Sequence, residues 1–162
     1  MDGLILFSHG SVLCGAGEAL EAHASRLRER EEWAAVGIGY LNYNRPTFQE
    51  AVQRLASSGI HRIVIVPYFL VPGKFVTHDL QRVIGQAKSD FPDLDFSIAE
   101  PIGFDAALAD VILELAESAY GPEAWGANLH RAAERCDWNP RCPLFATVEC
   151  PHTYAGEPEA VT

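Results

Sequence analysis

Residues 4–11, Leu4-Ile5-Leu6-Phe7-Ser8-His9-Gly10-Ser11, decide how the rest of the chain is read. Four consecutive apolar residues that run into a small polar loop fit a strand covered on both faces, as in a parallel sheet. Outward from that strand the pattern repeats. Residues 16–30 place Ala19, Leu20, Ala24 and Leu27 at helical spacing among charges. Residues 33–40 predict a second strand, weakened by Gly37 and Gly39. Asn42-Tyr43-Asn44-Arg45-Pro46 is turn chemistry. Thr47-Phe48-Gln49-Glu50 is a capping box that opens a helix, which Ser58-Gly59 closes. Residues 61–67 hold the clearest strand, Ile63-Val64-Ile65-Val66. A loop over 68–76 leads to a helix running to about 91, with Thr77 as its expected N-cap. Residues 96–100 predict a fourth strand. Pro101 and Gly103 then break the chain, and Asp105 caps a helix to about 120.

Strands alternating with helices in this rhythm imply right-handed βαβ units. The expected fold is α/β: a flavodoxin-like open parallel sheet of about four strands with helices on both faces. Residues 1–120 form that domain. Residues 121–162 form a C-terminal extension, a short helix followed by an irregular tail containing Cys and Pro.

Charge limits the partners. The 162 residues carry 22 acids against 12 bases, a formal net charge of −10. Six acids and three bases fall in 121–162, so −7 belongs to the core. Nucleic-acid binding needs clustered Lys and Arg, and this balance argues against it. No apolar run approaches the roughly 20 residues of a membrane span. The start, Met1-Asp2-Gly3, lacks the basic region of a signal peptide, so a cytoplasmic protein with reduced thiols is expected.

In open parallel sheets, ligands bind beyond the carboxyl ends of the strands. Two segments arrive there with unusual side chains: Ser8-His9-Gly10-Ser11 after the first strand, and residues 67–79 after the third. Adjacent first and third strands would let His9 and His78 face one crevice. Imidazole ligates divalent metals and exchanges protons near neutral pH, so the pair suits metal handling. His78 falls in the first turn of the expected helix, where the helix N-terminus disfavours imidazolium and keeps the ring available as a ligand. No phosphate-binding glycine motif is present. Cys136, Cys142 and Cys150 are spaced C-x5-C-x7-C, with His130 and His152 nearby, and contain no C-x-x-C pair. Buried thiols explain them more simply than a metal site does. The same holds for Cys14.

These residues carry a resemblance. Residues 5–11, then Val66-Pro67-Tyr68-Phe69-Leu70-Val71-Pro72-Gly73 followed by Asp79-Leu80, and then Ala99-Glu100-Pro101-Ile102-Gly103, resemble three motifs of the short-form type II chelatases, the CbiX/SirB family. The resemblance covers roughly residues 3–118. It implies insertion of a divalent metal, Co²⁺, Fe²⁺ or Ni²⁺, into sirohydrochlorin or a related tetrapyrrole for cobalamin or sirohaem synthesis. It implies a lyase without an organic cofactor that pairs as a homodimer. His9 and His78 would be the catalytic and metal-binding residues. Ser8, Gly10, Ser11, Tyr68, Phe69, Gly73, Lys74 and Phe75 would bind the macrocycle, with Lys74, Arg45 and Arg82 facing its carboxylates.

The chain departs from the family pattern twice. The second motif usually reads G-x-H-x-x-x-D, and Phe75 stands in place of that histidine. Asn42 stands where a glutamate is common after the second strand. Phenylalanine cannot ligate metal, and an amide cannot take a pyrrole proton. His78 is therefore expected to replace the missing ligand. The alternative is a non-catalytic relative that binds metal or tetrapyrrole and delivers it to a partner, with the extension as its docking element.

Overall fold

The apolar run at residues 4–7 forms the middle of β1 (Asp2–Ser8), which pairs in parallel on both of its edges. Its neighbours are β2 (Ala35–Tyr40) and β3 (Arg62–Pro67), so that Leu6 lies opposite Ile38 on one side and Val66 on the other. β3 in turn pairs in parallel with β4 (Asp95–Ile98), and the sheet order is β2-β1-β3-β4. The expected adjacency of the first and third strands is therefore present. The computed structural model of the chain describes residues 1–11, 17–119, 121–122 and 147. Cys14 and nearly all of 121–162, with Cys136, Cys142, Cys150, His130 and His152, lie outside the described residues.

Side-chain alternation along β1 builds two cores. Ile5 and Phe7 point to one face and pack under α2 (Phe48–Ser57) and α3 (Gln81–Asp90). Leu4 and Leu6 point to the other face, against Leu20 and Ala24 of α1 (Glu18–Glu29). Phe7 and Phe48 are fully buried and meet edge to face at 5.7 Å. Burying an aromatic ring of this size contributes roughly 3 kcal/mol, so this pair anchors β1 and the loop that follows it. The last helix, α4 (Ala107–Glu117), contrasts with the others, because none of its residues is buried. Ile112, Leu113 and Leu115 are 62–65% exposed. Leu108 and Val111 line a groove of about 520 Å³ that also touches Val66, Pro101 and Phe104. Among the described residues, no helix is long and apolar enough to cross a membrane.

The capping box at the start of α2 is complete. Thr47 Oγ1 accepts from the Glu50 N–H at 3.3 Å, and Glu50 Oε2 accepts from the Thr47 N–H at 2.7 Å. The Thr47 N–H, its hydroxyl and the Arg45 guanidinium hold the Glu50 carboxyl below its ordinary pKa of 4.5, against a partial desolvation. A carboxylate depressed in the folded state stabilises fully above its unfolded pKa and loses that contribution as pH falls through the folded value. Wild type should therefore melt above Glu50→Gln at neutral pH, and the gap in Tm should close below pH 4.5. A gap that persists at low pH would show that the charge is not what holds the cap.

Several local expectations need correction. Thr77 is not an N-cap. The helix is already turning at Phe75 as a π-helical segment, Phe75–Leu80, that runs directly into α3. The Thr77 hydroxyl donates instead to the Gly73 carbonyl at 3.3 Å, four residues back. β4 is also shorter than expected, although the Ala99 N–H still reaches the Ile65 carbonyl at 2.9 Å. The N-cap of α4 is Ala106, and Asp105, one residue ahead of it, accepts from the Ala107 N–H at 2.9 Å.

Candidate active site

Beyond the carboxyl ends of β1 and β2 the two following loops are clasped by main-chain hydrogen bonds. The Leu41 N–H donates to the Ser8 carbonyl and the Asn42 N–H to the His9 carbonyl, both at 2.9 Å. The Ser11 N–H donates to Asn44 Oδ1 at 2.7 Å, and the Asn44 N–H donates to the Asn42 carbonyl at 2.7 Å. The clasp dictates the residue at position 10. Gly10 has φ of +81°, and a Cβ there would lie 2.0 Å from the Asn42 carbonyl oxygen. Only glycine fits that backbone.

The clasp aims His9. Its Nδ1 lies 2.9 Å from the Gly10 carbonyl oxygen, which can only accept, so Nδ1 carries the proton and Nε2 the lone pair. The ring is held from two sides. Phe75 lies against it at 4.1 Å between centroids, tilted by 40°, and Tyr43 meets it at 5.4 Å and 65°. Phe75 is itself tied to the core through Phe69 at 6.1 Å, which packs on Phe7 at 6.0 Å. The Asn42 side-chain nitrogen stands 3.4 Å from His9 Nε2.

The other expected site residues are placed as follows. His78 is 70% exposed, with Nδ1 3.5 Å from Asp79 Oδ1, and no hydrogen bond or ring contact joins it to His9. Among the described residues, no three His, Cys, Asp or Glu side chains cluster as a metal site would require. Ser8 and Ser11 hold the loop through their main chain. The Gly73 carbonyl starts the π-helical segment by accepting from Val76 and Thr77. Tyr68 and Phe69 separate: Tyr68 packs on the α1 face, 5.7 Å from the His23 ring, and Phe69 on the α2–α3 face. Of the three cations, Arg45 pairs with Glu50, and Arg82 reaches Asp79 at 3.9 Å. Lys74, exposed beside Phe75, makes no ion pair among the described residues.

Sequence reasoning took residues 42–46 as turn chemistry, noted Asn42 only as the place of a missing glutamate, and missed Tyr43 and Asn44 as part of the frame around His9. No local sign was available: Tyr43 adopts a left-handed backbone at φ +63°, which a bulky residue rarely does.

A parallel sheet of order β2-β1-β3-β4, with a histidine loop beyond a central strand, makes this an α/β protein of flavodoxin-like order. The structure of the sirohydrochlorin chelatase SirB from Bacillus subtilis subspecies spizizenii, in complex with cobalt, superposes with a TM-score of 0.68 at 21% identity, covering 72% of this chain and 50% of that one. A CbiX protein of Marinobacter aquaeolei gives 0.58 at 24% identity, covering 74% of this chain and all of that one. The CbiX family model matches residues 3–119, and the chain belongs to that family. The sirohydrochlorin cobaltochelatase of Methanocaldococcus jannaschii is 30% identical over 140 residues, covering 72% of this chain and 98% of its own length. That of Sulfolobus acidocaldarius is 32% identical over 123 residues, covering 76% and 96%.

Proposed function

We propose that the chain inserts a divalent metal, cobalt before iron or nickel, into sirohydrochlorin. Its family and the names of its relatives support that activity. The observation that carries the mechanism is the contact of His9 Nδ1 with the Gly10 carbonyl, which assigns the proton to Nδ1 and leaves Nε2, beside the Asn42 amide, as the nitrogen that binds metal. His9 would bind the incoming ion, which is substrate, through Nε2 and hold it against one face of the macrocycle. As metal–pyrrole bonds replace the metal–imidazole bond, two pyrrole protons must leave. His78, exposed in the π-helical segment before α3, is the proposed acceptor that passes them to water. Nothing in this exchange calls for an organic cofactor. Phe75 and Phe69 supply the apolar wall a flat ring needs, with Gly73 starting the π-helical segment that carries Phe75.

Lys74 is the proposed anchor for a substrate carboxylate, because Arg45 and Arg82 already have acidic partners. Reversing its charge in Lys74→Glu should raise KM for the tetrapyrrole about five- to tenfold with kcat little changed, the pattern of lost uniform binding. An unchanged KM would remove Lys74 from the site.

The proposed working form is a cytoplasmic homodimer of a domain spanning 1–120, with 121–162 as an appendage. The exposed apolar face of α4 favours pairing, since leaving Ile112, Leu113 and Leu115 in water is unfavourable. The decisive experiment mixes purified protein with sirohydrochlorin and Co²⁺ and follows the pigment's absorption. Insertion faster than with metal alone supports the enzyme. Saturable pigment binding without acceleration would make the chain a carrier and overturn this assignment.

A further inference from the structure

The lone pair that makes His9 a ligand is not open to solvent alone. Nε2, as an acceptor, can be approached by an N–H but not by a carbonyl oxygen, so the Asn42 amide must present its NH₂ there, as the 3.4 Å contact has it. Three other contacts hold the partly buried ring. Gly10 holds Nδ1, Phe75 covers a face, and Tyr43 meets the ring edge on. The Asn42 main chain is pinned beside the ring, because its N–H is bonded to the His9 carbonyl and its carbonyl to the Asn44 N–H, and only the side chain is left to turn.

We propose that Asn42 is a positioning residue that latches His9: its amide occupies Nε2 in the metal-free protein, keeping the ring aimed, and swings aside when a divalent metal takes the lone pair. The latch rests on the assignment of His9 as the metal ligand. At 3.4 Å the bond is long and weak, which suits a group that must be displaced without cost to turnover. A metal therefore competes with one neutral hydrogen bond and not with a charge.

The test uses the full-length protein with ¹⁵N-labelled histidine, Co²⁺ alone as the metal, and the variants Asn42→Ala, Asn42→Asp and His9→Ala. In the diamagnetic metal-free protein, Asn42→Ala should move the His9 Nε2 resonance toward that of an unbonded lone pair and leave Nδ1 where Gly10 holds it. Cobalt affinity should rise about two- to fivefold in Asn42→Ala, the size of one weak hydrogen bond removed. It should rise further in Asn42→Asp, which cannot donate and adds a carboxylate ligand. An Nε2 resonance that does not move, or His9-dependent cobalt binding that Asn42→Ala leaves equal or weaker, overturns the latch. Cobalt binding unaltered by His9→Ala overturns the metal site first and the latch with it, so the two failures are told apart.

Discussion

Replacing His9 by alanine should lower cobalt insertion into sirohydrochlorin by about 10²–10⁴-fold, the range lost when a positioned catalytic group is removed. The size follows from how little else at the site can hold metal. Phe75 has no donor atom, Asn42 offers a neutral amide, and His78 makes no contact with His9. In a site with several ligands one loss is partly covered by the others, whereas here nothing covers it. Folding should survive. His9 is only partly buried, and the clasp around it uses its carbonyl, which alanine keeps. The measurement is the rate of pigment conversion under Co²⁺, with circular dichroism as the control for fold. A His9→Ala protein that is folded and still inserts metal within about threefold of wild type would end the case for His9 as ligand.

How much of this was legible in the sequence depends on whether a feature is local. The strands were legible because a continuous apolar run such as 4–7 has one comfortable place, the middle of a sheet covered on both faces. The capping box was legible because Thr47 and Glu50 satisfy each other within four residues. The family was legible from three motifs. The site was only half legible. His9 was found because it follows a strand. Its partners were not, because the Asn42 and Asn44 bonds to the His9 loop span 33 residues and depend on the parallel register of β1 and β2. The start of the helix that leads into α3 was misread for a related reason. Thr77 has the composition of an N-cap, but the main chain had already begun a π-helical turn at Phe75, and composition does not register such a turn.

That turn sets up the most informative substitution. The Phe75 ring lies 4.1 Å from the His9 ring and is 37% exposed, so an imidazole at position 75 would stand beside His9 with one edge toward solvent. Two imidazole nitrogens bound at about 2.1 Å to one ion are about 3–3.5 Å apart, a spacing this geometry permits with small rotations. Phe75→His should therefore tighten cobalt binding in the absence of tetrapyrrole by about 10- to 100-fold, since the second ligand arrives at high effective concentration. It should not speed insertion. An ion held by two imidazoles must shed both before the pyrrole nitrogens can close around it, and tighter ground-state binding alone lowers KM without raising kcat. The expected outcome is a lower apparent KM for cobalt together with a reduced kcat. Phe75→Leu, which keeps an apolar side chain and adds no donor, should leave cobalt affinity within about threefold of wild type. Should Phe75→His bind cobalt no better than Phe75→Leu, position 75 does not face the metal, and the contact with His9 is packing alone. Should both kcat and affinity rise, the wild-type chain is short of a ligand, and phenylalanine at 75 is a handicap to insertion, with no part in the design of the site.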